Sequence, residues 1–179
     1  MRSFAEDIIT QAAVTAGLPE ASIMAEPDKQ SVILPKPRLE ISWLPEELTR
    51  APRRLARLAR PAEGTPDNAC RMRWVVYERK LPGRLTLRAE DGDSLEALTL
   101  AFLLALPGLA ADPDGNAVRI TATKAVRGGF LRRIAEPLPE RSCAVHVTFA
   151  GSLCRDVSRP WIKDVLFPAP VIFKGVPHE

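Results

Sequence analysis

The sequence predicts an α+β fold with a mostly antiparallel β-sheet, and three observations predict it. Strand-like alternation of apolar and polar residues recurs along most of the chain. Helical spacing occurs twice, once at the N-terminus and once in the middle. Consecutive strands therefore mostly lack the intervening helix that a parallel crossover needs. At 179 residues the chain is long enough for one domain with a sizeable core. We read 1–179 as a single domain, with a Pro/Arg-rich insertion at about 45–70 and an extended C-terminal tail at about 168–179.

Residues 3–16 read as a helix. Ser3 and Glu6 have the spacing of a capping box, in which the hydroxyl covers a free N–H and the carboxylate reaches back. Ala5, Ile8, Ile9, Ala12, Ala13 and Ala16 recur at helical spacing, a narrow face suited to close packing on a sheet, and Gly17 can end the helix. Residues 18–37 carry Pro19, Pro27, Pro35 and Pro37 and read as an irregular connection. Residues 38–44, RLEISWL, form a half-buried strand with Leu39, Ile41 and Trp43 on one face and Arg38, Glu40 and Ser42 on the other.

Residues 45–70 leave helix and loop both open. On a helix, Arg50, Arg53, Arg54, Arg57 and Arg60 would share one arc opposite Leu55 and Leu58, and Pro52 would fit only in the first turn. Residues 61–69 have the composition of a loop tip. Residues 71–90 hold two strand signals. Met72, Trp74 and Val76 alternate with Arg71, Arg73 and Val75; Leu85, Leu87 and Ala89 alternate with Arg84, Thr86 and Arg88. Pro82-Gly83 between them suits a type II turn closing a hairpin.

Residues 94–106 predict a helix capped by Asp93, with Glu96 at capping-box spacing and Pro107-Gly108 as its end. Leu95, Leu98, Leu100, Phe102, Leu103, Leu104 and Leu106 cover most of its circumference. Such a length is about 20 Å at about 1.5 Å per residue, too short to cross a bilayer. A helix apolar on so many sides lies on a sheet and is covered again, by the first helix or a neighbouring subunit. DPDGN (112–116) then gives a turn, and residues 117–126 a strand with Val118, Ile120 and Ala122 inward. Gly128-Gly129 and the Pro-punctuated 137–140 mark a loop. Residues 142–151 form a strand in which Cys143, Val145, Val147 and Phe149 alternate with Ala144, His146 and Thr148, and 153–167 one or two more. In the tail, Val171, Ile172 and Phe173 need a surface to lie on.

Charge is uneven. Net charge is +3, yet residues 50–88 hold eleven basic and three acidic side chains, and residues 89–118 hold six acidic and none basic. This predicts either an anionic partner such as nucleic acid or contact between unlike segments of different copies. Cys70, Cys143 and Cys154 are an odd set without metal spacing and read as free thiols of a reducing compartment. The N-terminus lacks the apolar block of a signal peptide, and no stretch has the roughly 20 apolar residues of a membrane span.

Little supports catalysis. DPDGN is acidic like a calcium loop, but that loop needs Gly at its sixth position and Glu at its twelfth, and here Gly115 is fourth and Thr123 twelfth. Asp91 and Asp93 have no further ligand nearby and read as capping residues. Cys143 and His146 fall on opposite faces of one strand, and Cys154 and Asp156 add no zinc-type spacing. With two His, no phosphate loop and no nucleophile elbow, the chain reads as a non-enzyme with no cofactor and no bound metal.

The stretch VYERKLPGRLTLRAEDGDSLEALTLAFLLALPGLAADPDGNAVRITA, followed by CAVHVTFAGSLCRD, resembles the tail terminator (tail completion) proteins of long-tailed phages and prophages. It has the order of that family: a strand, an acidic turn, one apolar helix, a turn and paired strands, behind an N-terminal helix. The match covers roughly 1–18 and 70–167; the Pro/Arg-rich 19–70 and the tail depart from it. The resemblance implies a virion protein of the phage tail, assembled in the host cytoplasm. It would form a homo-hexameric ring that stops tail-tube polymerisation and joins the head. Its partners would be itself, the tail-tube protein and a head-completion protein, with no membrane and at most weak nucleic-acid binding. Arg50, Arg53, Arg54, Arg57, Arg60, Val171, Ile172 and Phe173 are the expected contacts. A small basic nucleic-acid-binding protein is the alternative.

Overall fold

A computed structural model describes residues 1–25, 36–59, 69–128 and 141–160. Two helices and seven strands follow in the order α1 (Arg2–Thr15), β1 (Ile23–Ala25), β2 (Arg38–Trp43), β3 (Glu47–Ala59), β4 (Ala69–Ala89), α2 (Gly92–Ala105), β5 (Leu109–Ala111), β6 (Ala117–Gly128) and β7 (Arg141–Pro160). The fold is α+β. One sheet runs β1-β2-β4-β7-β6-β5, with β3 paired to β4 beyond the end of β2. Every pairing is antiparallel except β1 with β2.

Alternate residues of four strands point to one face: Leu39 and Ile41, Leu85 and Leu87, Val118 and Ile120, and Val145, Val147 and Phe149. They share one core with Ala5, Ile9, Ala12 and Ala13 of α1 and Leu95 and Phe102 of α2. Both helices therefore lie on the same face of the sheet. The alanines of α1 let its backbone come close, and Trp43 fixes it by donating from Nε1 to Glu6 at 2.8 Å. Arg2 donates to the same carboxylate at 2.9 Å, so Glu6 is engaged there and the expected capping box with Ser3 does not form. At the far end Gly17, at φ +96, closes the helix: its N–H donates to Val14 and that of Leu18 to Ala13, the two bonds of a Schellman motif.

Several boundaries differ from those the sequence predicts. The irregular connection contains a 3₁₀ turn, Glu20–Ser22, and the short strand β1. Arg38 and Glu40 face away from the helices yet are buried, because Glu40 accepts from Nε of Arg38 and pairs with Arg88, both at 2.9 Å. A buried carboxylate is tolerable when cations neutralise it. The N-cap of α2 is Asp91, not Asp93. Its carboxylate accepts from the Ser94 N–H at 2.8 Å and hydroxyl at 2.6 Å, and these bonds hold the Asp91 carboxyl below its ordinary range.

Pro82-Gly83 is not a turn, and β4 is one strand of 21 residues. The Pro82 carbonyl accepts from Leu44, which connects β2 to β3. In an antiparallel strand the N and O of one residue point the same way, so the missing N–H of Pro82 falls at the gap between two neighbours and costs no ladder bond. Gly83 lies opposite Trp43, whose ring would sit 2.8 Å from a Cβ at that position. The glycine makes room for the indole, which meets Phe149 edge-on at 6.1 Å. Likewise the strands expected at 142–151 and 153–167 are one through Pro160, β7.

The DPDGN turn is as the sequence predicts. Asp112 accepts from the Asn116 N–H at 2.7 Å, and Gly115 takes φ +75. In β6, Val118 and Ile120 are buried but Ala122 is exposed, next to an irregularity in its pairing with β7 between Ala122 and Lys124.

Candidate functional site

The core ends at Leu81 on β4 and Phe149 on β7, but both strands continue. Their pairing runs on from Lys80 opposite Ala150 to Ala69 opposite Pro160, and β3 adds a third strand along β4. This three-stranded arm contributes no residue to the helix-covered core. Among its described side chains only Cys70 and Val75 are buried.

β3 corrects the helix considered for 45–70. Its pairing with β4 slips twice, between Arg50 and Arg54 and between Leu55 and Arg57, and Pro52 sits in the first irregularity. An edge strand with a bulge accommodates proline, since no partner needs its N–H. Extended backbone also separates the arginines that a helix would gather on one arc.

Directly paired residues share a face of a sheet. On one face of the arm stand Leu55, Trp74 and Arg155 in one row, and Leu58, Met72 and Val157 in the next. Leu55 and Leu58 are 41% and 42% exposed, large values for leucines that have cross-strand apolar neighbours. Beside them a half-open groove of about 410 Å³ is lined by Arg50, Ala51, Trp74, Val76, Arg155 and Val157. On the other face Arg57, Arg73 and Asp156 form a row. Arg73 grips Asp156 with two bonds, at 2.7 and 2.8 Å, and donates to the Asp114 carbonyl at 2.6 Å. This clips the arm to the turn before β6. The same bonds hold the Asp156 carboxyl below its usual range and raise the guanidinium above its own. Arg79 meets Asp112 of that turn at 3.7 Å. Burial pushes the Cys154 thiol up, so it is less ionised at neutral pH than an ordinary cysteine.

Ten basic and three acidic residues fall in the arm's three strand segments. Arg50, Arg54 and Arg57 of the expected contacts are exposed on β3, and Arg53 lies in the same strand. Arg60, Val171, Ile172 and Phe173 lie outside the described residues. Sequence reading missed Trp74, Met72, Arg155 and Val157 as neighbours of this stretch, because only the long-range register of β4 with β3 and β7 brings them together. The run of basic residues through 71–88 was the one available signal.

Cys143 and His146 lie on β7, with Cys143 opposite Leu87 and His146 opposite Arg84. Among the described residues no group of three or more His, Cys, Asp or Glu side chains is placed to hold a metal ion. No described helix is long and apolar enough to cross a membrane. No known protein-family model matches this chain, and no curated protein does.

Proposed function

We propose that this chain is a non-enzymatic assembly protein of a long-tailed phage or prophage. In this reading it resembles tail terminators: its copies form a ring, a hexamer, that ends tail-tube polymerisation and joins tail to head. The element order supports it, with an N-terminal helix, an acidic-capped apolar helix, a turn and paired strands in an α+β fold. The observation that carries the reading is the arm. Three long strands extend past the helices with exposed leucines and, among the described residues, with no strand paired to the outer edge of β3 or to the end of β7, a surface that gains by being covered. Native mass and electron microscopy test it, on the protein alone and with the tail-tube protein of its own virus. Closed rings are expected; a chain that forms none in either condition overturns the reading.

The arm's excess of seven positive charges favours one other reading, a nucleic-acid-binding protein. Under the ring reading DNA binding is weak, nonspecific and steeply reduced by salt. A specific nanomolar site at physiological salt would favour the alternative.

A further inference from the structure

We infer that the arm of one copy docks on the outward face of α2 of the next. This rests on the ring reading and names the two surfaces that would form it. The core covers one side of α2: Leu95 and Phe102 are buried, and Leu98 and Leu103 pack against the same cluster. The opposite side carries Asp93, Glu96, Leu100 and Leu104 at helical spacing, acidic at the front and apolar behind. Leu100 and Leu104 are 59% and 79% exposed. The sequence had left open whether α1 or another subunit covers this side; α1 does not.

The arm is the matching opposite. Its Leu55 and Leu58 are exposed, Arg155 stands in the Leu55 row, and Arg50 lines the adjoining groove. It holds seven net positive charges, while the outward side of α2 carries Asp93 and Glu96 and the helix has no basic residue. Both surfaces are exposed in the same molecule, so neither covers the other within one copy. Joining arm to helix pairs unlike patches. Repeated head to tail, such a contact gives a ring when the rotation closes; met reciprocally by two copies it gives a two-fold dimer, which the assembly mass distinguishes. The competing arrangement, two arms pairing edge to edge, is disfavoured by charge. β3 carries four arginines and one glutamate, and the free end of β7 carries Arg155 and Arg159 against Asp156. Either pairing would align like charges, a common guard against edge-to-edge association.

The test uses two full-length variants, Leu104→Arg on the helix and Leu58→Arg on the arm, with Leu100→Arg as a second substitution on the helix. Each residue is exposed, so melting temperature and circular dichroism should match wild type. Each variant alone should raise the concentration for half-assembly at least about tenfold, a single-residue effect of the size seen at central interface positions. Mixed in equal amounts, Leu104→Arg and Leu58→Arg retain one good arm and one good helix between them. They should form a heterodimer that stops at two subunits. Unchanged ring mass for the helix variants overturns the inference and leaves the ring reading standing. So does a mixture with no heterodimer. A wild-type chain that never assembles overturns the reading and the contact together.

Discussion

The two ends of β4 belong to one strand and face the same partner, β7, yet they differ in what holds them. From Leu81 to Ala89 the strand is covered by α1 and α2, and its inward residues are buried to within a few percent. From Ala69 to Lys80 it is flanked by β3 and β7, and most of its side chains reach solvent. Both ends are paired on two sides, although the pairing of the bare end is interrupted at Arg50–Arg54, Leu55–Arg57 and Val75–Tyr77. Hydrogen bonds are not the main difference, since each contributes little beyond what water would supply. Apolar burial does, at about 25 cal/mol per Å² removed from water. The covered end makes the fold, and the bare end is left to specify partners through leucines and charge.

The largest effect should come from the covered end. Phe102→Ala empties a wholly buried site between α2 and the sheet and should cost about 3–5 kcal/mol, read as a shift in the denaturant midpoint. An unchanged midpoint would mean that α2 does not close the core. Gly83→Val tests the boundary between the two ends. The added carbon atoms must displace the Trp43 ring, and with it the edge contact to Phe149, at a cost of about 1–3 kcal/mol. A neutral outcome would show that the indole moves away freely.

Asp91→Ala removes the cap of α2 and should lower the melting temperature by less than either core change. The pH dependence has a definite sign. Asp91 and Asp156 have native pKa values below their ordinary ones, so their contribution is present above about pH 4 and is lost as pH falls through the lowered native values. For these two groups stability should be flat from about pH 8 to 5 and drop below about 4. Asp156→Asn should flatten that acid limb; an unaltered limb would remove the Arg73–Asp156 clip from the arm's stability. The smallest effect should come from the arm's surface. Leu58→Ser should alter monomer stability by no more than about 0.5 kcal/mol, measured below any assembly concentration. A large loss would show that the arm contributes to the core after all.

Sequence reading recovered the fold class, both helices, β2, the DPDGN turn and the inward residues of the core strands except Ala122, which is exposed. These follow from the 2.0 and 3.6 residue periods, which depend on neighbours in the chain. It failed at Pro82-Gly83, where a turn-forming pair sits inside a strand, and at residues 47–59, where a helical arc of arginines is an edge strand. Both failures have one cause. A proline or a bulge is tolerated only where the adjacent strand is absent or irregular, and nothing local reports where a neighbour ends.

By itself, then, the sequence determined which residues seek burial and which sign of charge each segment carries. It set the acidic front of α2, the basic run from 50 to 88, and a helix with more apolar surface than one sheet can cover. Only the tertiary structure decided that β4 and β7 outrun the helices, that β3 fills the edge left by β2, and that Leu100 and Leu104 remain outside the core. Alternation and spacing are properties of the chain one residue after another. Where cover stops depends on the lengths of distant strands set against one another, and that is settled only when they pair.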